Sequence, residues 1–281
     1  MISEAELRRQ AYRWQVDPMI LDLDYALGWF LVSLAVTPDT SRHLRFKGGT
    51  CLRKCYFPDY RFSEDLDFTA SDSFKPNSLT DWIDQAVHWS EEKGGPNFRA
   101  EPYRLDVVED DYGKETYQVR IYYRGPLVWG GSPRAIRMDI TRDELLLFPA
   151  RDQTIFHPYS DAPGFGKLNV SCYSLEEILT EKLRALGGQR RFAISRDLYD
   201  IYFLSRANVK VAEVIRGLPE KFAARGLDMA NFDANLLLDR RSEFEKDWQR
   251  RLNYLIPAQQ AVTFTHTWQT ALDMVRQVQS V

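Results

Sequence analysis

The sequence predicts an α+β protein in which helices come first, a strand-rich stretch follows and helices return. Three observations predict it. An apolar run with helical spacing occupies Met19 to Val36, alternating strand-like runs fill residues 98–141, and the apolar period becomes helical again after residue 170. The divisions expected from this are an N-terminal helical region over 1–40, a central α+β domain over 41–170 and a C-terminal helical domain over 171–281.

Taken in order, residues 2–15 carry a short helical pattern. Asp17-Pro18 then supplies an N-cap and a first-turn proline for a helix that keeps Ile20, Leu21, Leu23, Leu27, Phe30, Leu31 and Leu34 on an apolar face. His43 to Lys47 reads as a short strand entering a double glycine, and Thr50 to Tyr56 as the helix that follows. A helix from Asn77-Ser78 to Glu92 ends at Gly94-Gly95-Pro96. Phe98–Val108 and Thr116–Tyr123 are expected to form an antiparallel hairpin about the polar turn 109–113, with Ala135–Thr141 as a third strand. Residues 142–169 hold Pro149, Pro158 and Pro163 and little periodicity beyond a short strand near Thr154–Phe156, so the domain boundary is expected there. Ser174 to Glu177 has the spacing of a capping box for a helix that stops at Gly187-Gly188. Further helices are expected from Arg196-Asp197, over Val209–Arg216, Ser242–Leu255 and Thr265–Val278.

The 281 residues, 44% hydrophobic and 27% charged, can bury a substantial core as one domain or two. A net charge of −3 argues against a surface that binds nucleic acid everywhere and leaves room only for a local basic groove. Asp22 and Asp24 interrupt the Met19–Val36 run and would be costly in a bilayer, so a core helix is expected rather than a membrane span. The N-terminal residues carry no short apolar leader pattern, and the expected location is the cytoplasm. Three cysteines make no disulfide framework. Cys51 and Cys55 lie four apart, but the four histidines are scattered singly, so packing rather than a structural zinc is expected of the thiols.

The chemistry concentrates in FKGGTCLRKCYFPDYRFSEDLDFT, residues 46–69. Gly48-Gly49-Thr50, placed between a strand and a helix, lets backbone amides approach an anion at the positive end of a helix dipole, and Thr50 adds a hydroxyl. Asp65 and Asp67 are spaced i, i+2 in a strand-like run and therefore share a face. Two converging carboxylates call for a cation, and hard oxygen ligands favour Mg²⁺ or Mn²⁺. Asp139, alone in the strand-like run 134–141, is the candidate third carboxylate, accepting the proton of an attacking hydroxyl. The alternative for all of this is a tight turn followed by an acidic edge strand. Arg61 and Ser63 fit either anchors of the preceding turn or phosphate contacts. Downstream, Lys182 with Asp197 and Asp200 reads either as surface ion pairs or as a cation for nucleotide phosphates, with either aspartate holding it. Arg184, Arg190, Arg191 and Arg196, joined by Arg134, Arg137 and Arg142, read as a solvated face or a nucleic-acid contact.

FKGGTCLRK, RFSEDLDF, a carboxylate within a strand, SLEEILTEKLRAL and RDLYDIYFL occur in this order over residues 44–205. Together they resemble the AbiEii/AbiGii toxin family of the DNA polymerase β-like nucleotidyltransferases. The resemblance implies a polymerase β-like core with a mixed sheet over 41–170, flanked by the two helical regions. It places Gly48, Gly49 and Thr50 at the phosphate-binding step, Asp65 and Asp67 at the metal pair with Asp139 as the third carboxylate, and Lys182 at the family's third motif. Arg196, Asp197 and Asp200 match its Arg-Asp-x-x-Asp. The implied activity is that of a type IV toxin from a toxin–antitoxin or phage-defence pair, a Mg²⁺-dependent enzyme that moves a nucleotide from an NTP to the 3′ end of tRNA and blocks translation. A cognate antitoxin and NTP are the implied partners. A small molecule or protein hydroxyl as acceptor, or a non-catalytic nucleotide- or RNA-binding regulator, are the rival readings.

Overall fold

Asp17 begins the element that organises the N-terminal part of the chain: its carboxylate accepts the Met19 amide at 2.7 Å and caps helix α2 (Pro18–Val36). The computed structural model describes residues 1–109, 113–127, 131–190 and 192–280. By length and apolar content α2 could cross a membrane, yet most of it is buried inside the protein. Its two acids account for that. Asp22 accepts from the Tyr123 hydroxyl at 2.9 Å, the Leu127 amide at 3.1 Å and Arg134 at 3.2 Å. Asp24 holds Arg53 Nε and Lys54 Nζ, each at 2.7 Å, and accepts from the Tyr159 hydroxyl at 2.8 Å. Charges this deep persist only when paired and hydrogen-bonded.

Two units make up the chain. The first comprises Met1–Glu144, Ala150–Cys172 and Pro257–Gln260, and the second Leu145–Pro149, Tyr173–Ile256 and Ala261–Val281. In the first, α1 (Glu4–Trp14), α2 and the short α3 (Thr40–His43) lead into strand β1 (Leu44–Lys47). A single turn α4 (Gly48–Cys51) passes directly into a π-helical turn, Leu52–Tyr56. Then come β2 (Asp65–Ala70), α5 (Ser78–Glu92), β3 (Arg104–Glu109), β4 (Glu115–Tyr123), β5 (Arg134–Thr141), β6 (Arg151–Thr154) and β7 (Asn169–Cys172). The seven strands form one mixed sheet in the order β3-β4-β5-β2-β1-β7-β6. β2 runs parallel to β5 and β1 parallel to β7, and the remaining pairs are antiparallel.

Alternation assigns the faces. Leu66, Met138 and Val119 stand in one register row and Phe68, Ile140 and Tyr117 in the next, all buried. Phe46 joins Phe68 at 5.1 Å between ring centroids. Burying each of these large apolar side chains contributes roughly 1.5–3 kcal/mol. The opposite face of the same strands carries Lys47, Asp65, Asp67 and Asp139.

The α+β class, the hairpin, the third strand and the flanking helices agree with the sequence. Several elements differ. The first hairpin strand begins at Arg104 rather than Phe98, with only an isolated bridge from Asn97 to Arg124 ahead of it; part of its expected turn, residues 110–112, lies outside the described residues. The strand expected at 154–156 runs over Arg151–Thr154 and pairs with a strand the pattern did not announce, β7. Two four-residue strands are too short to leave a periodic trace.

The second unit is helical: α6 (Leu175–Arg184), α7 (Ser195–Leu204), α8 (Val211–Ala223), α9 (Ala234–Asp239), α10 (Arg241–Asp247) and α11 (Phe264–Gln279). The Ser174 hydroxyl accepts the Glu177 amide at 3.3 Å, which is half of the expected capping box. Glu177 does not reach back. It is buried, binds Lys221 at 2.5 Å and accepts the Leu147 and Phe148 amides at 2.9 Å each. Beyond Arg184 the helix does not stop at the glycines but widens into a π-helical turn, Ala185–Gln189. The run expected as one helix over 242–255 is α10, a π-helical turn Trp248–Leu252 and a 3₁₀ turn Asn253–Leu255. Asp247 leaves the helix end to cap α7, accepting the Ser195 amide and hydroxyl at 2.7 Å each.

Candidate active site

β1 delivers the chain to the site through Lys47, and the turn into α4 is made by a residue that only glycine suits. Gly48 has φ +77°, and a Cβ there would lie 2.5 Å from Asp67 Oδ2. Gly49 is tight for a different reason: a Cβ would run into the guanidinium of Arg61. The two glycines thus let the cradle turn press against a carboxylate on one side and a buried arginine on the other. Gly48→Ala is expected to lower stability by about 1–3 kcal/mol and displace the Asp67 carboxylate. Chemical denaturation and the activity of the refolded variant check this.

Thr50 is buried, and its hydroxyl donates to the backbone carbonyl of Asp65. A hydroxyl has one hydrogen to give, so the side chain ties the cradle to the carboxylate strand and does not serve as an anion donor. Arg61 is buried, gives Nη1 to the Phe62 carbonyl at 3.1 Å and lies against Gly49, which is the anchor reading of the two the sequence left open.

Register brings the carboxylates together. Asp67 stands opposite Asp139 across the parallel β2–β5 pair, Asp65 opposite Arg137, and Lys47 opposite Asp67 across β1–β2. Strand parity puts Asp65, Asp67 and Asp139 on one face. Burial and then the charges of Asp67 and Asp65 push the Asp139 carboxyl up to about 6, against weaker opposition from Arg137 and Lys47. Lys47 Nζ donates to Thr141 Oγ1 at 2.8 Å, two residues beyond Asp139 on the same strand. Sequence reasoning passed over Lys47 as a site residue and took Arg137 only as part of the basic concentration. The signal for Lys47 was its place just before the glycines on a strand that must pair with the carboxylate strand.

A carboxyl raised in the folded state removes stability as pH rises. Below the unfolded value near 3.9 Asp139 is protonated in both states, and the penalty grows until the pH passes about 6. Asp67→Asn is therefore expected to draw the Asp139 value down toward the ordinary carboxylate range and, in metal-free protein at pH 7, to raise stability by about 1–2 kcal/mol, a figure reduced for solvent screening. Carboxyl chemical shifts followed through a pH titration check it; an unmoved Asp139 would contradict the coupling.

The residues fit a divalent cation: three carboxylates converge on one face, and one of them is driven toward protonation by burial and by the other two, a demand that a cation between them satisfies.

In the second unit Lys182 of α6 meets α7, with Asp197 Oδ1 at 2.7 Å and Asp200 Oδ2 at 2.8 Å. Arg190 reaches Asp197 at 3.4 Å. Both aspartates are buried, so these are not surface ion pairs. Burial would raise Asp197, and Arg190 and Lys182 together outweigh it and hold the carboxyl below its ordinary value. Arg196 is half-buried at the start of α7. Arg184 is buried with Glu181 at 3.5 Å, Arg134 and Arg142 are paired with Asp22 and Glu115, and Arg191 lies outside the described residues.

Two solved structures share this fold. MenT4, a nucleotidyltransferase toxin from Mycobacterium tuberculosis H37Rv, matches with a TM-score of 0.68 at 21% identity, over 100% of this chain and 91% of that one. A Helicobacter pylori protein assigned as a nucleotidyltransferase matches with a TM-score of 0.54 at 17% identity, over 94% and 96% of the two chains. No curated protein matches. The sequence profile described as "Nucleotidyl transferase AbiEii toxin, Type IV TA system" matches residues 29–274, most of the chain. With that extent of match, the chain belongs to the AbiEii family of nucleotidyltransferase toxins of type IV toxin–antitoxin systems.

Proposed function

We propose that this nucleotidyltransferase toxin is Mg²⁺-dependent and transfers a nucleotide to the 3′ end of tRNA, blocking translation in the cytoplasm. Family membership already implies an NTP substrate and a cognate antitoxin. The observation that supports the chemistry best is the register: Asp65, Asp67 and Asp139 share one face of β2 and β5, beside the Gly48 turn.

In this reading residues 41–170 act as the nucleotidyltransferase domain. Asp65, Asp67 and Asp139 are the residues that would hold Mg²⁺ or Mn²⁺. When bound, such an ion supplies charge stabilisation to the attacking and leaving oxygens of an in-line displacement. The backbone at Gly48, Gly49 and Thr50 receives phosphate oxygens, with the Thr50 and Arg61 side chains keeping that backbone in place. Asp139, with a carboxyl poised near neutrality, accepts the proton of the acceptor hydroxyl. Lys182 contributes a cation to the nucleotide phosphates, and Asp197 and Asp200 hold it, the double clasp on its ammonium giving a mobile side chain a fixed position, while Arg196 adds a further positive charge for the nucleotide.

The acceptor is tested by incubating the protein with α-labelled NTPs and fractionated cellular RNA, with and without periodate oxidation of 3′ ends. Label on intact tRNA that is lost on oxidation is expected. Label appearing only on a metabolite or a protein would move the reaction to a small-molecule or protein hydroxyl, and NTP binding without pyrophosphate release would leave a non-catalytic regulator.

A further inference from the structure

The three cysteines of the chain, Cys51 and Cys55 far in sequence from Cys172, meet in the core of the first unit. Cys51 ends α4, Cys55 lies one turn on in the π-helical stretch, and Cys172 ends β7, whose register beside β1 pairs it with Phe46. Their sulfur atoms all lie within 4.8 Å of one another, and the residues are 0%, 2% and 0% exposed. None is in a disulfide.

We infer that Cys51, Cys55 and Cys172 form a three-thiolate site for a soft monovalent metal ion, Cu(I). Geometry and chemistry both favour it. Three thiolates around one ion at about 2.3 Å place the sulfurs about 4 Å apart, a separation these side chains reach with shifts of a few tenths of an ångström. Thiolate ligands select soft ions. Among the described residues the sulfurs have no histidine or carboxylate as a fourth member. The neighbouring Lys54 is engaged with Asp24 at 2.7 Å, and the depth of the site keeps water out. Zn²⁺ asks for four ligands; a d¹⁰ monovalent ion accepts three.

The site is also partly charged in advance. Burial would push the Cys55 thiol up, but hydrogen bonds from Cys172 and Cys51 and the Lys54 charge bring it down to about 5, while burial raises Cys51 well above its ordinary value. Loading replaces thiol protons: one Cu⁺ and the three cysteines give a copper tris-thiolate of charge −2, with one proton released for each cysteine that enters as a thiol and no change in oxidation state. Because Cys51 follows Thr50 directly, a bound ion clips the end of the cradle turn to β7. The inference stands apart from the nucleotidyl-transfer reading, since no residue of the carboxylate face takes part.

The test uses the full, reduced chain under anaerobic conditions, titrated with Cu(I) against a chromogenic Cu(I) chelator, with a parallel Zn²⁺ titration. Expected are one Cu(I) per chain, a thiolate-to-copper charge-transfer band, release of protons on loading, and a thermal midpoint raised by at least about 5 °C at saturation. Cys172→Ala, and the Cys51→Val, Cys55→Val, Cys172→Val triple variant, should each bind on the order of 10³-fold more weakly. Copper taken up no more tightly by the parent than by these variants overturns the site, as does a folded parent that takes none. Zinc retained one-to-one in preference to copper overturns the three-coordinate assignment. The parent titration decides the matter even where a variant does not fold.

Discussion

Replacing Asp67 by alanine is expected to lower nucleotidyl transfer at least about 10³-fold, equivalent to about 4 kcal/mol of activation free energy, with the chain still folded. Asp67 is the hub of the carboxylate face: Asp139 stands opposite it across β2–β5, Lys47 opposite it across β1–β2, and the Gly48 turn lies against its Oδ2. Every proposed role on that face needs its charge. Its removal also takes a like charge from Asp139, whose carboxyl it helps to raise. The thermal midpoint should therefore stay within a few degrees of the parent or rise. Activity lost at unchanged stability separates a catalytic part from a structural one, and steady-state transfer rates beside a melting curve measure both. Unchanged transfer by the variant would remove Asp67 from the site.

The largest loss of stability is expected from Asp24→Ala, about 3–5 kcal/mol. The substitution strands two buried cations, Arg53 and Lys54, which are 3% and 1% exposed, and removes the nearer of the two acceptors of the Tyr159 hydroxyl. Arg53 keeps its stacking on Phe62, 3.6 Å from the ring centroid, but that does not neutralise a desolvated charge. Burial alone would raise the Asp24 carboxyl; Arg53 and Lys54 overcome it and hold it far below the ordinary range. A depressed carboxylate contributes stability that is present above its unfolded value near 3.9 and is lost only as pH falls through the depressed folded value, so this contribution is flat from pH 5 to 8. Urea denaturation of parent and variant at pH 7 measures it, and a difference under about 1 kcal/mol would contradict the pairing. Since Arg53 and Lys54 follow the cradle turn by only three and four residues from Thr50, the same clasp fixes the core helix to the site.

Much of this was legible because local chemistry and tertiary need coincide. Asp22 and Asp24 inside an apolar helix had to be paired and buried or exposed, and the sequence already excluded a bilayer for them. The i, i+2 spacing of Asp65 and Asp67 carried their shared face, and strand-like alternation around Asp139 carried its approach. What stayed hidden depended on register and on distance along the chain. Nothing local in Thr50 says that its hydroxyl is spent on the Asp65 carbonyl, or in Glu177 that it abandons Ser174 for Lys221. Lys47 gained its place from β1–β2 pairing. Cys172 lies on a four-residue strand without pattern, so its meeting with Cys51 and Cys55 could not be read from spacing, and packing was the natural expectation for all three. Within the basic run at 184–196, Arg184 is drawn inward, a tertiary choice that composition cannot carry.

The central claim is that the carboxylate face of the first unit performs metal-dependent nucleotidyl transfer. It is tested most directly by following α-labelled and γ-labelled NTP in parallel with the purified chain, with Mg²⁺ and then with chelator. Transfer of the α-label with release of γ-label as pyrophosphate, abolished by chelator and by Asp67→Ala, is the expected result. Transfer of the γ-label, or α-label transfer that persists with chelator or in Asp67→Ala, would contradict it.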